Sequence, residues 1–107
     1  MASVAGRYAS ALFELANEER KLPEVEADVI KLQQLLDESE DLRRMVRSPV
    51  FTAESQVKAL DALFAAAGIS GVAANFIKLV ASKRRLFAIS DMIRDYQKLS
   101  DRAKGVT

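Results

Sequence analysis

A chain of 107 residues, half of them hydrophobic and 29% charged, carries enough apolar material for one buried core and too much for a disordered segment. The absence of cysteine and histidine removes disulfides, thiolate chemistry and the commonest general acid–base group and metal ligand, so no cofactor, metal or catalytic residue is expected. A net charge of +1 falls short of the basic excess of a dedicated nucleic-acid binder, although residues 1–54 carry 7 Lys/Arg against 11 Asp/Glu and residues 55–107 carry 9 against 4.

The first helix is predicted from about residue 3 to residue 20. At ~100° per residue, Val4, Tyr8, Ala11, Leu12 and Leu15 share one strip, and Ala5, Ala9, Phe13 and Ala16 lie beside it. Together they cover roughly half the circumference, wider than the ~100° stripe of an ordinary core-facing helix. Pro23 suits the opening turn of a second helix, where its missing N–H costs nothing, and Glu24 and Glu26 favour the positive end of the dipole. Val25, Val29, Leu32 and Leu36 form a narrow core stripe on it. A short third helix, Glu40–Arg47, points Leu42, Met45 and Val46 inward and ends at Ser48-Pro49, because the residue before proline avoids the α region.

Thr52 is the expected N-cap of the fourth helix, with Glu54 in its first turn, Val57, Leu60 and Phe64 inward, and Gly68 as its stop. Ser70 is placed to cap the fifth, whose register follows Val72, Phe76, Leu79 and Val80. Lys83, Arg84 and Arg85 are expected in its last turn, facing the negative dipole end. On the same wheel Val72, Ala73, Ala74, Phe76, Ile77, Leu79, Val80 and Ala81 fill more than half the circle and leave Asn75, Lys78 and Ser82 as a polar strip. The sixth helix carries Ile89, Ile93, Tyr96 and Leu99 and fades at Gly105. The fold class is therefore all-α, a compact six-helix bundle with one short helix. No run approaches the ~18 apolar residues of a membrane span, and neither a signal-peptide core nor a transit pattern opens the chain, so an intracellular protein is expected.

Catalysis finds little support. The acidic residues cluster at helix ends and on polar faces, where solubility and dipole compensation already place them, and no phosphate loop, EF-hand or nucleophile elbow is present. Nucleic-acid binding is the alternative, a small helical adaptor using Lys83, Arg84 and Arg85 with Lys78, which Lys58 or Arg94 could join. Its weakness is that the aromatic residues read as core at helical spacing, leaving no stacking platform. Helix capture is the positive signal. Two helices of six have more apolar surface than one core contact uses, and side by side their small residues would leave a trough for an amphipathic helix. Periodicity alone serves equally well a pair of central helices surrounded by the other four.

Arg7-Tyr8-Ala9-x-Ala11-Leu12-Phe13-Glu14-Leu15-Ala16 resembles the N-terminal signature of the δ subunit of bacterial F-type ATP synthase, the counterpart of the mitochondrial oligomycin-sensitivity-conferring protein. Ser48-Pro49 resembles the family's Asn/Ser-Pro after the third helix. Asn75-Phe76-Ile77-Lys78-Leu79-Val80 with Arg85-Leu86 resembles its Asn-Phe-Leu…Arg-Leu stretch, and Ile93 and Tyr96 fall where its last helix is apolar and aromatic. The resemblance implies that residues 1–105 are an N-terminal helical domain and that residues 106–107 open the linker to a C-terminal domain absent from this sequence. It implies a non-catalytic stator part, peripheral on the cytoplasmic face of the bacterial inner membrane and serving ATP synthesis and hydrogen-ion transport. The N-terminal helix of an α subunit would lie between helices one and five, and the b subunits would be met mainly through the C-terminal domain. Carried onto this sequence, the groove is expected from Ala5, Tyr8, Ala9 and Leu12 with Asn75, Phe76, Leu79 and Val80, rimmed by Lys78 and Ser82. Leu12, Phe76 and Val80 serve equally well as core.

Overall fold

Three of the six helices begin at a hydroxyl that accepts from one of their first free N–H groups. In the computed structural model, which describes residues 3–105, Ser3 Oγ accepts from Gly6 N at 3.0 Å and opens α1 (Val4–Glu18). Pro23 sits in the first turn of α2 (Leu22–Glu38). Ser39 Oγ accepts from Leu42 N at 3.1 Å and starts α3 (Glu40–Arg47), a cap absent from the sequence reading. Thr52 Oγ1 accepts from Ser55 N at 3.0 Å and starts α4 (Ala53–Ala67), which Gly68 ends at φ 76°, a left-handed stop that a side chain would strain.

α5 (Gly71–Ser82) follows Ser70, which stands at the N-cap position without a side-chain cap bond. Lys83, Arg84 and Arg85 lie beyond the end of α5, not in its last turn, which corrects the expected placement. Arg84 takes φ 62°, Arg85 N donates back to Val80 O, and a 3₁₀ turn, Leu86–Ala88, leads into α6 (Ile89–Ala103). The described residues form six α-helices and no strand. Residues 106–107, where the linker was expected to open, lie outside the described residues.

α1 lies along α6, α4 along α5, and α2 closes one side against α1, α5 and α6. The buried stripe of α1 is Ala5, Ala9, Leu12 and Ala16, and that of α2 is Val25, Val29, Leu32 and Leu36 as its narrow pattern predicts. In α4, Gln56 takes a buried place beside Leu60 and Phe64, its Nε2 donating to Met45 O at 3.3 Å. That bond satisfies a polar group that would otherwise be costly to bury. Ile89, Met92, Ile93 and Tyr96 of α6 complete the core.

Candidate partner-binding site

Ala5 and Ala9 on α1 and Ala81 on α5 are buried small side chains on two helices that touch each other. Around them the wide apolar arcs divide into a sealed part and an open part. On α1, Val4, Tyr8 and Leu15 are half-buried and Ala11 is exposed, all on the flank beside the buried stripe. Phe13 leaves by the other flank and packs on Tyr96 of α6, ring centroids 5.9 Å apart. On α5, Asn75, Leu79 and Ser82 follow one another at helical spacing along an exposed strip, and Leu79 is 47% exposed there. Tyr8 meets Phe76 edge-to-face at 6.2 Å, and this aromatic contact joins the two helices.

The sequence-predicted residues therefore sort by depth. Tyr8 and Leu79 remain open, Ala5 and Phe76 lie just beneath at 5% and 7% exposure, and Asn75 and Ser82 are exposed on the α5 strip. Ser82 spends its hydroxyl on its own helix, donating to Leu79 O at 2.6 Å. Ala9, Leu12 and Val80 are sealed in the core, so they back the wall and form no part of its surface. Lys78 is also displaced from the expected rim. Its Nζ lies 2.8 Å from Asp61 of α4, which turns it to the far side of α5. Of the eight apolar positions of the α5 arc six are buried, and Val72 and Leu79 remain accessible.

Missing from the expected set are Val4, Ala11 and Arg85, which with Arg7 and Tyr8 line a depression of about 260 Å³ on this face. Val4 and Ala11 were legible at −4 and +3 from Tyr8. Arg85 was not, because its place depends on the left-handed turn at Arg84. The aromatic residues are also less committed to the core than their spacing implies, for Phe87 is 57% and Phe51 40% exposed. Among the described residues no group of three or more acidic side chains could hold a metal ion, and no helix is long and apolar enough to cross a membrane.

Fold and site together define a class, a small helical module with unspent apolar surface along two adjacent helices. The chain belongs to the ATP synthase delta (OSCP) subunit family, whose model matches residues 4–107. A Methylobacterium nodulans protein named ATP synthase subunit delta is 58% identical over 106 residues, covering 99% of this chain and 56% of the relative. Proteins of the same name from Azorhizobium caulinodans and Bradyrhizobium sp. (strain ORS 278) are 54% and 52% identical, over 100% and 98% of this chain. The chain thus spans a little over half the length of the relatives it matches, 56–58%.

Proposed function

We propose that this domain is a non-catalytic tie in the stator of an F-type ATP synthase, and that its α1/α5 face holds the N-terminal helix of an α subunit. The observation that carries the reading is the pairing of half-buried Tyr8 with exposed Leu79 across the Tyr8–Phe76 contact, an apolar strip that the domain's own core leaves uncovered. An amphipathic helix laid there would cover Val4, Tyr8 and Ala11 with one side and Leu79 with the other, while Arg7 and Arg85 stay at the edge for its carboxylates.

Such a joint binds without chemistry, which is what a stator needs. It holds the catalytic head against rotor torque while the helix can pivot in its seat. The peripheral-stalk b subunits would be engaged mainly by the part of the family's chain beyond this domain, placing it at the cytoplasmic face of the inner membrane. Calorimetric titration with a synthetic α N-terminal peptide tests the assignment. Tyr8→Asp and Leu79→Glu are expected to abolish binding with circular dichroism unchanged. Retained affinity, or unfolding of both variants, refutes it.

A further inference from the structure

Five large hydrophobic side chains are exposed among the described residues, and three of them lie together on two loops. Val50 is 85% and Phe51 40% exposed between α3 and α4, and Phe87, 57% exposed, is the middle residue of the 3₁₀ turn. Arg84 physically joins the two loops, its Nη1 donating to Phe51 O at 2.7 Å. The same Arg84 and Phe87 line a depression of about 220 Å³ with Arg47, Ser48 and Pro49. The left-handed φ of 62° at Arg84 is the conformation for which glycine is the unstrained choice.

Four cations, Arg47, Lys83, Arg84 and Arg85, border this apolar centre. Against them stand two carboxylates near it in sequence, Glu54 in the first turn of α4 and Asp91 in that of α6, the latter already paired with Arg94. Arg47, Lys83 and Arg85 have no carboxylate within 4.0 Å among the described residues, and the partner of Arg84 is a carbonyl. The other cations of α3 are already engaged, Arg44 by Glu40 and Asp41, Arg43 by the carbonyl oxygens of Leu36 and Asp37. Aromatic anchors inside a charged rim have the anatomy of a docking patch, and the sign of the rim selects the partner.

We propose that this patch binds an acidic peptide segment of a partner protein, its bulky apolar side chains seated on Phe51 and Phe87 and its carboxylates on Arg47 and the cations of residues 83–85. The surface shares only Arg85, at its border, with the α1/α5 face, so the proposal stands apart from the stator reading. RNA is the competing occupant, since an exposed phenylalanine beside arginine can stack a base. Against it, Val50 is the most exposed of the three and gives a base no ring to stack on. The chain also holds 15 acidic residues against 16 basic ones, which leaves no extended basic track for successive phosphates.

The test is an NMR titration of the isotope-labelled chain with two short synthetic peptides that share one leucine and phenylalanine pattern, one filled with glutamate and the other with lysine, beside oligouridine. The glutamate peptide is expected to shift the amides of Val50, Phe51, Arg84 and Phe87 saturably, and to weaken as salt rises. Phe87→Ala and Arg47→Glu should each cut its affinity roughly tenfold, the scale of an interface hot spot. Leu79→Glu should leave it unchanged. Val50→Ser, at the most exposed of these positions, should weaken binding too and guards against misreading a folding defect. The proposal is overturned by no shift at these residues, by equal shifts with the lysine peptide, or by saturation with oligouridine. Shifts that grow with protein concentration alone would overturn it as well, by assigning the patch to a second copy of the chain.

Discussion

Leu79 offers the sharpest separation between a binding face and ordinary surface. It is 47% exposed between Asn75 and Ser82, so the fold uses only about half of its side chain. A surface change away from packing features stays within about 0.5 kcal/mol of parent stability. Full burial of a leucine side chain is worth about 1.5–3 kcal/mol, so covering the open half with a captured helix adds about 1 kcal/mol. At about 1.4 kcal/mol per decade, Leu79→Ala should weaken an α N-terminal peptide roughly fivefold. Leu79→Glu also forces a carboxylate out of water beside apolar walls, a cost of several kcal/mol that takes the loss beyond about a hundredfold. Isothermal titration calorimetry gives the affinities and urea unfolding gives the stabilities. Affinities within twofold of the parent for both variants would refute the reasoning, and so would losses that track lost stability.

Tyr96 is fully enclosed, its hydroxyl has no hydrogen-bond partner, and burial followed by the negative charge of Glu26 pushes its pKa up to about 12. Tyr96→Phe should therefore stabilise the domain by about 1 kcal/mol, read as a melting temperature higher by roughly 4–8 °C. Because the folded-state pKa lies above the ordinary 10.0, the neutral phenol's contribution is complete below that pH and disappears as pH climbs towards about 12. Urea midpoints across that alkaline window should fall for the parent and fall less for Tyr96→Phe. Ala9→Leu, at a site with no exposure, should cost about 1–3 kcal/mol by overpacking, with binding lost only as the fold is lost. Thr52→Ala removes the α4 cap bond to Ser55 N and should cost about 1 kcal/mol in thermal or urea unfolding.

Helix number and order were readable because they rest on local chemistry, such as proline in the first turn of α2, Thr52 before α4 and glycine after it. The Ser3 and Ser39 caps, by contrast, were not read, and Ser70 makes no cap bond. The excess apolar arcs of α1 and α5 were readable too. Which residues within those arcs face a partner was not. That depends on α6 lying along α1, which seals Ala9 and Leu12, and on the rotation of α5, which buries Val80 and opens Leu79. Lys78 shows the same limit, for its direction is set by Asp61 on another helix. Residues 83–85 were misplaced for a different reason. A left-handed arginine ends α5 one turn earlier than charge pattern suggests, and it frees Phe87 from the core that its spacing implies.

The first and last helices of this domain lie side by side, with Gly6 facing Asp95 and Phe13 against Tyr96 farther along. A pull entering through Tyr8 on α1 and leaving by the end of α6 would slide one helix lengthwise past the other. Every interlocked side chain between them resists such a slide at once, whereas a peeling force breaks contacts one by one. Under the proposed stator role, that is the direction in which the packing of α1 on α6 resists load best.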